Sequence, residues 1–346
     1  MSKMVPRIAV LPGDPAGVGP EMAVRLLHRE ANRAMAELVV ITDPLVLQAG
    51  ERIVGEGPLP VTAVDGFPAA CDAPRAGRVL LLARDVLGGM AAPVGVCSAQ
   101  AGHSVLASLD LALDAVEAGL CDGIIFAPFN KHSLRMGGMT DEDELRYMQR
   151  RLAVDSFVCE FNITGKLWTS RVTSHVPVRQ VADLITESAV CNGVRIIDDA
   201  LRSAGVAEPR IAVSGLNPHA GDGGSIGSEE IEVIAPAIRT MQSQGVNASG
   251  PWSPDTVFVA ARRGDFDAVV SMYHDQGQIA MKLLGFEQGV TLHGGLPVPV
   301  ATSASGSAFD IAGKGIAQIE GLQQAFLICC RMASAVRARR NGGPGG

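Results

Sequence analysis

Short apolar runs alternate along this chain with longer segments whose apolar residues recur every three or four positions. The short runs predict strands at residues 8–14, 37–43, 79–83, 123–128, 210–215 and 267–275. The longer segments predict helices at residues 19–30, 103–120, 192–205 and 228–245. This alternation is typical of an α/β protein whose sheets are covered by helices. Such sheets bind ligands at the carboxyl ends of their strands, where polar residues cluster in this sequence.

Domain boundaries are not marked by a low-complexity linker or an internal repeat. With 346 residues the chain can form one or two substantial cores. We expect the chain to leave one lobe and return to it, so that residues 1–130 and 275–335 form one lobe and residues 131–274 form the other. The Gly-rich end, residues 336–346, predicts a disordered tail.

Composition narrows the class of protein further. The formal charge of −7 and the lack of Lys and Arg runs argue against a nucleic-acid partner. No apolar stretch of about 18 residues or more predicts a membrane span, and the N-terminal sequence lacks a secretory signal, so we expect a cytoplasmic protein without a membrane partner. The seven cysteines form no C-x-x-C pair and predict neither a disulfide framework nor a cysteine zinc site.

Three histidines lie in Gly-, Pro- or Asp-rich turns at or just after predicted strand ends: His175, His219 and His274. Neutral imidazole is a common ligand for divalent first-row metals, and three such ligands leave positions open for the oxygens of a substrate. Their wide spacing excludes a local zinc finger but allows a site assembled in space. The alternative is three unrelated turn histidines that satisfy backbone groups.

The neighbours of these histidines favour the metal site. His219 lies in the constrained turn 217–221, where a merely solvent-facing histidine is unexpected. His274 is followed at once by Asp275 and Gln276, which are residue types that orient a ligating imidazole through hydrogen bonds.

Five longer motifs give the chain a family resemblance: GDPAGVGPE at 13–21, SGLNPHAGDGG at 214–224, PDTVF at 254–258, MYHDQGQIAMKLLGF at 272–286 and AFDIAGKGIA at 308–317. In these motifs the chain resembles the 4-hydroxythreonine-4-phosphate dehydrogenase family. The match runs in order from about residue 7 to residue 335, and the motifs are far more specific than a lone G-x-G-x-x-G.

The resemblance implies a two-domain α/β fold of the isocitrate and isopropylmalate dehydrogenase type, with its active site in the interdomain cleft. It implies a homodimer that oxidises a small hydroxy acid with NAD or NADP. One divalent cation (zinc, magnesium, manganese, cobalt or iron) would be held by His175, His219 and His274, one of them contributed by the partner subunit. Of the two lobes, the one that contains the N-terminus would lie on the dinucleotide side, and the other on the metal and dimer side.

The reaction implied is oxidation of a secondary alcohol β to a carboxylate, after which the keto acid can lose carbon dioxide. A cation on the alcohol oxygen lowers its pKa, a base removes the proton and nicotinamide accepts the hydride. Charged residues in the matching motifs could handle protons or substrate charge: Lys131, Asp255, Asp275 and Lys282. Each could instead be a structural salt-bridge partner.

Cofactor binding is expected along the segment from Gly294 to Asp310. The residues offering hydroxyls, close backbone approach or a carboxylate there are Gly294, Thr302, Ser303, Ser305, Gly306 and Asp310. The alternative is a Ser-rich surface loop. The loop at 13–21 would line the site, with Asp14 and Gly17 shaping the turn.

Departures from the family pattern bear on the substrate. An ungapped alignment from Lys131 places Asp143, Glu144, Leu145 and Arg146 where biosynthetic members carry a Gly-His-Thr-Glu segment. The family holds the substrate's phosphate with a Lys, an Asn and an Arg. This chain keeps the Lys as Lys282, but it has Thr291 at the Asn position and Val300 at the Arg position. Loss of a guanidinium weakens binding of a phosphate dianion.

These departures favour a cis-dihydrodiol carboxylate or dicarboxylate, such as the dihydrodiol of terephthalate, as the substrate. The alternative is 4-hydroxythreonine 4-phosphate, in pyridoxal phosphate biosynthesis, or a phosphorylated four-carbon sugar acid. Two other classes of function also stay open: a non-catalytic relative that binds a ligand in the same place, and a metal-dependent hydrolase or acyltransferase on a related fold.

Overall fold

The computed structural model describes residues 5–68, 76–285 and 288–341. The chain divides into two compact units, Met1–Asp155 with Leu296–Gly346, and Ser156–Gly295. The first unit is therefore built from two separate stretches of sequence.

The first unit is a parallel sheet with helices. Its strands are β1 Arg7–Leu11, β2 Glu37–Thr42, β3 Val61–Val64, β4 Val79–Ala83, β5 Gly123–Phe126 and β12 Val300–Ser303. Its helices are α1 Gly19–His28, α2 Glu30–Met35, α3 Pro44–Val54, α4 Ala99–Glu117, α5 Lys131–Met136, α6 Glu144–Arg151 and α12 Glu320–Asn341. The strands run parallel in the order β3-β4-β2-β1-β5-β12.

The second unit has a mixed sheet. Its strands are β6 Cys159–Thr164, β7 Leu167–Arg171, β8 Ile211–Ser214, β9 Ala248–Trp252, β10 Ala268–Ser271 and β11 Val290–Gly294. Its helices are α7 Val178–Leu184, α8 Glu187–Ser203, α9 Ala235–Ser243, α10 Val257–Arg263 and α11 His274–Gly285. In the order β11-β6-β7-β10-β8-β9, the pairs β11-β6 and β6-β7 are antiparallel and the remaining pairs are parallel.

Both unit boundaries fall later in the chain than the expected boundaries at 130/131 and 274/275. Residues 131–155 belong to the first unit because α5 and α6 pack against α4, where the Tyr147 hydroxyl donates to Asp110 at 2.8 Å. Residues 275–295 belong to the second unit because β11 pairs with β6 and α11 covers β10. These long-range pairings leave no mark in local composition.

The C-terminal segment corrects the expectation of a disordered tail over residues 336–346. Helix α12 continues through Asn341, and Arg337 and Arg340 both form ion pairs with the fully buried Asp122. Burying a carboxylate requires such partners, so this end of the helix is held to the sheet. Residues 342–346 lie outside the described part of the chain.

Several helices begin at a residue whose side chain caps the first turn. The side chains of Asp43, Ser98, Asn130 and Asp143 accept hydrogen bonds from the first turns of α3, α4, α5 and α6. The cores lie between sheet and helices, around Ile124 and Phe126 in the first unit and around Ala212 and Val269 in the second. No helix in the described stretches is long and apolar enough to cross a membrane.

Candidate active site

The three histidines follow three neighbouring parallel strands of the second unit. His175 comes four residues after the end of β7, His219 five residues after β8 and His274 three residues after β10. Because β10 lies between β7 and β8, the three strand exits are adjacent at the carboxyl edge of the sheet. This edge is where open α/β sheets place their ligands.

His274 and His175 lie close together, and the first of them is oriented by a carboxylate. Their ring centroids are 5.7 Å apart. Nδ1 of His274 is 2.7 Å from Oδ1 of Asp275. Because an ionised carboxylate can only accept, Nδ1 carries the proton and Nε2 keeps a free lone pair. This is the tautomer that a metal-binding imidazole needs.

His219 lies in an unusual left-handed turn that covers Pro218–Gly224. Its φ is +53°, and the positive φ values continue through Asp222 at +44°. The left-handed conformation costs a non-glycine residue about 1–2 kcal/mol. Local strain of this kind is concentrated at functional sites, where the surroundings hold it in place.

Glu230 is the residue that braces this turn. Its side chain is 2% exposed, and its Oε1 accepts hydrogen bonds from the backbone amides of Leu216 and Asn217 at 2.8 and 2.7 Å. A Cβ on Gly221 would lie 2.7 Å from its Oε2. Only glycine therefore fits at this point, which explains part of the Gly-rich motif.

Asp255 follows β9, the next strand in the same sheet, and lies at the same edge as the histidines. Its Oδ1 accepts a hydrogen bond from the Ser253 hydroxyl at 2.6 Å. That bond, together with the positive charge that His219 can carry, lowers the pKa of the Asp255 carboxyl. Asp255 therefore supplies a stable negative charge beside the histidines.

These donors suit a divalent cation. The rings of His175 and His274 lie 5.7 Å apart, His219 follows the neighbouring strand exit, and the carboxylates of Asp275 and Asp255 lie near His274 and His219. A set of neutral nitrogen ligands with nearby carboxylates suits zinc, iron, cobalt or manganese better than a hard cation that prefers oxygen alone.

Lys282 is not brought to this edge. It lies on α11, eight residues after His274, and lines a pocket of about 980 Å³ together with Leu167, Arg210 and Asp267. Those three residues lie at the amino-terminal ends of β7, β8 and β10, at the opposite edge of the sheet. Thr291 is half-buried in β11, where it pairs with Asn162 of β6.

Lys131 and Glu144 meet in the first unit. Lys131 begins α5 and its Nζ is 4.0 Å from Oε2 of Glu144, which begins α6. Arg146 is exposed and donates to Gln149 at 2.8 Å. Glu144, in the segment that departs from the family pattern, thus lies beside Lys131, which is also a predicted site residue.

Two residues expected to contact substrate are instead buried in apolar surroundings. Val300 is fully buried in β12, where it pairs with Ile124 in the hydrophobic core. Leu145 is 3% exposed. Both side chains therefore pack against apolar neighbours in the single chain, and their contact with a substrate stays a prediction.

The residues expected to hold the cofactor have mixed surroundings. Thr302 and Ser303 are buried at the end of β12, and the hydroxyls of Ser303 and Ser305 are 2.9 Å apart. The Thr302 hydroxyl has no hydrogen-bond partner among the described atoms. Gly306 has open space around it, and Asp310 is exposed.

Gly294 has a packing role of its own. A Cβ at this position would lie 2.3 Å from the ring of Phe161 in the neighbouring strand β6. Glycine is thus required here by the packing of the second unit, whether or not a cofactor approaches it.

The loop after β1 joins the exits of β5 and β12 in the first unit. Asp14 donates its backbone amide to the Pro128 carbonyl at 3.1 Å, and Val18 donates to the carbonyl of Ser307 at 3.0 Å. Asn130, which caps α5, donates to the Ser307 hydroxyl at 3.0 Å. Burial raises the pKa of the Asp14 carboxyl.

Sequence reasoning missed Glu230 and Asn130. Glu230 accepts from backbone amides, and Asn130 donates to the hydroxyl of Ser307, which is distant in sequence. Neither residue is adjacent in sequence to a predicted metal or substrate ligand. A pair of carboxylates, Glu229 and Glu230, directly after a Gly-rich turn was the available signal, because exposed turn amides need acceptors.

A family model for the pyridoxal phosphate biosynthetic protein PdxA matches residues 34–329 of the chain. A Pseudomonas aeruginosa protein, provisionally named a second 4-hydroxythreonine-4-phosphate dehydrogenase, is 48% identical over 333 residues, which cover 95% of this chain and 97% of the relative. The crystal structure of 4-hydroxythreonine-4-phosphate dehydrogenase from Klebsiella pneumoniae is 32% identical, with a TM-score of 0.79, and the match covers 95% of this chain and 98% of that one.

More distant structures are also similar. A terephthalate 1,2-cis-dihydrodiol dehydrogenase from Burkholderia xenovorans is 27% identical with a TM-score of 0.69, and the match covers 94% of this chain and 98% of that one. A β-decarboxylating dehydrogenase from Thermococcus kodakarensis is 14% identical with a TM-score of 0.53, covering 97% and 89%. The latter likeness extends to the fold alone and confirms the expected isocitrate and isopropylmalate dehydrogenase-like α/β class.

Proposed function

Because this chain belongs to the pyridoxal phosphate biosynthetic protein PdxA family, we propose that its substrate is 4-hydroxythreonine 4-phosphate. As a member of that family, the chain is a metal-dependent, NAD-dependent oxidoreductase that acts on a CH–OH donor. The proposed metal ligands are His175, His219 and His274. The observation that supports the proposal is that these histidines follow the exits of three adjacent parallel strands, with the rings of His175 and His274 in contact.

A divalent cation bound there would polarise the substrate's alcohol and the ketone formed from it, while NAD accepts a hydride. The chain's own residues have separate tasks. Asp275 holds the Nδ1 proton of His274, and Glu230 holds the turn that carries His219. Zinc, cobalt, iron or manganese suits this donor set.

The proton acceptor for the alcohol is a separate question. Asp255 has a lowered pKa, and a carboxylate that stays ionised at low pH is a weak base. We assign to Asp255 the role of balancing the charge at the histidines and orienting the substrate. Lys131, held near Glu144, is the proposed proton-handling residue of the first unit.

The choice of substrate reverses the expectation from the sequence alone, which favoured a terephthalate-type dihydrodiol. The more similar relatives carry the name of the phosphorylated substrate, whereas the dihydrodiol dehydrogenase is 27% identical. Position 300 offers no guanidinium, since Val300 lies in the core, so the proposal requires other groups of the chain to hold the phosphate. Decarboxylation after oxidation is part of the same proposal.

The cofactor is proposed to bind along β12 and the loop after it, where the unpartnered Thr302 hydroxyl and the open space at Gly306 support the assignment. A homodimer, with one of the three histidines contributed by the partner subunit, is proposed from the family resemblance. Large apolar side chains of the second unit are exposed in the single chain, which supports such an interface: Ile226, Ile231, Trp252 and Val259.

The test is NADH formation, followed at 340 nm, with 4-hydroxythreonine 4-phosphate and with the cis-dihydrodiol of terephthalate. We expect turnover of the phosphorylated substrate, its loss after chelation and its return when a divalent metal is added. Faster turnover of the dihydrodiol would overturn the substrate assignment. NADH formation that survives complete removal of metal would overturn the assigned role of the histidines.

A further inference from the structure

The exits of the four parallel strands in the second unit are joined by a line of hydrogen bonds beyond their last paired residues. Between β7 and β10, the backbone amide and the hydroxyl of Thr173 both donate to the Met272 carbonyl, at 3.0 and 2.8 Å. Between β8 and β9, the amide of Gly215 donates to the Trp252 carbonyl at 2.7 Å. The link in the middle, between β10 and β8, is of a different kind.

That middle link is made by the side chain of Gln276. Its Oε1 accepts a hydrogen bond from the backbone amide of Met272 at 2.7 Å, and its Nε2 donates to the carbonyl of Gly215 at 2.8 Å. A side-chain amide has the same donor and acceptor as a peptide group. Gln276 therefore takes the place of one peptide unit between two strands whose ladder ends at Val270 and Val213.

The two residues that Gln276 connects lie just before two of the proposed metal ligands. Met272 precedes His274 by two residues and Gly215 precedes His219 by four. We propose that Gln276 is a positioning residue that fixes the separation of His219 and His274 and so sets the affinity of the site for its cation. This inference rests on the metal site of the proposed function.

The helix start holds Gln276 in place for this task. The Cα of Gly277 packs so closely on β10 that an added Cβ would lie 2.9 Å from the Ser271 hydroxyl oxygen. The reach of residue 276 toward β8 is therefore set by its own length. Asparagine, which is one methylene shorter, cannot contact both strand exits from this position.

A simple capping role would explain only half of the geometry. An acceptor near the start of α11 satisfies the amide of Met272, and many polar residues could do that. The donor to Gly215 serves no helix, because Gly215 belongs to the exit of another strand. That donor is what ties the turn carrying His219 to the helix carrying His274.

The test uses the full-length protein and two neutral variants, Gln276→Met, which keeps the length and loses both hydrogen bonds, and Gln276→Asn, which keeps the amide and loses the reach. Gln278→Met is the matched control, because Gln278 lies on the same helix and donates to Asn162 at 2.6 Å without contacting either strand exit. The dissociation constant for Co²⁺ is measured by competition with a chromophoric chelator. The visible spectrum of bound Co²⁺ and the melting temperature of each metal-free protein are recorded alongside.

We expect both Gln276 variants to bind Co²⁺ about 10–100-fold more weakly than the parent, which is the usual effect of losing a residue that orients metal ligands. The Co²⁺ spectrum should change, and Gln278→Met should leave both unchanged. A folded Gln276→Met or Gln276→Asn protein with the parent's affinity and spectrum would overturn the inference while leaving the metal site intact. A parent protein that takes up no Co²⁺ would instead overturn the proposed function, and this inference with it.

Discussion

Each of the three histidines is held in place by a different means. His274 is oriented by Asp275 at 2.7 Å, and His219 by the left-handed turn that Glu230 braces. Next to His175, the Ser174 hydroxyl accepts from Nε of the buried Arg171 at 3.0 Å. The ring of His274 and the backbone that carries the other two histidines are thus held before a ligand arrives, which lowers the cost of binding.

At Asp255 the lowered pKa gives a prediction about pH. Because the folded-state pKa is below its ordinary value, the carboxylate stays charged to a lower pH than an ordinary aspartate, and its contribution is lost only as the pH drops through that lower pKa. Asp255→Asn should therefore reduce kcat/KM by about tenfold or more, by a factor that is constant between about pH 5 and about pH 9. The measurement is the pH profile of kcat/KM for both proteins. If kcat/KM of the parent divided by kcat/KM of Asp255→Asn rises through neutral pH, Asp255 is the titrating base.

At the scale of elements, the turn Pro218–Gly224 offers a matched pair of glycines. Gly221 and Gly223 both have positive φ, +80° and +65°, but only Gly221 lies against Glu230. Gly223→Ala should cost about 1 kcal/mol from backbone strain alone. Gly221→Ala should cost about 2 kcal/mol more, because its Cβ would displace the brace under His219, and it should also weaken metal binding.

Urea unfolding of the metal-free proteins, with a chelator competition for metal affinity, checks this pair. Equal losses for the two variants would mean that the contact between Gly221 and Glu230 does not hold the turn. A loss of stability at Gly221 without any loss of metal affinity would separate the brace from the site.

Helix α12 provides a second prediction at this scale. A chain truncated after Ala335 lacks Arg337 and Arg340, and among the described residues it leaves the buried Asp122 with the backbone amide of Arg7 as its partner. Removing the partners of a buried charge costs about 3–5 kcal/mol. Truncation after Asn341 keeps both arginines and should change nothing measurable. A comparison of unfolding free energies decides; equal values for both truncations would contradict the role of α12.

The elements differ in how far the sequence predicts them. The apolar runs at 79–83 and 37–43 match β4 and β2 almost residue for residue, because buried parallel strands are apolar on both faces. The predicted strand at 267–275 instead ends at Ser271, and His274 begins α11. Strands β6 and β11 were not predicted, since polar residues such as Glu160, Asn162 and Thr291 interrupt their patterns.

At the scale of the whole molecule, motifs identified the family and the metal ligands could be proposed from their turns. Pocket geometry could not be predicted in the same way, because it depends on where side chains point. The sequence predicts that Val300 and Lys282 contact the substrate, and in the single chain Val300 is buried in a strand while Lys282 lines a pocket at the sheet edge opposite the histidines. The identity of the substrate depends on which side chains point into the pocket.

The proposed dimer gives a prediction at this scale. If the partner subunit supplies His175 or His219, then His175→Ala and His219→Ala, each inactive alone, should regain activity when they are mixed and allowed to exchange subunits. A mixed dimer would contain one site without a mutation, so the mixture should reach about a quarter of parental activity at full exchange, in keeping with one intact site in half of the dimers. A mixture that stays inactive although mixed dimers form would show that His175 and His219 of a site come from the same chain.

The most direct test of the central claim is the metal content of the purified protein, measured by mass spectrometry after reconstitution and desalting. The account predicts about one equivalent of divalent metal per chain for the parent. It predicts close to none for His175→Ala, His219→Ala and His274→Ala, with the metal-free melting temperature unchanged. Full metal content in any of these three variants would contradict the site.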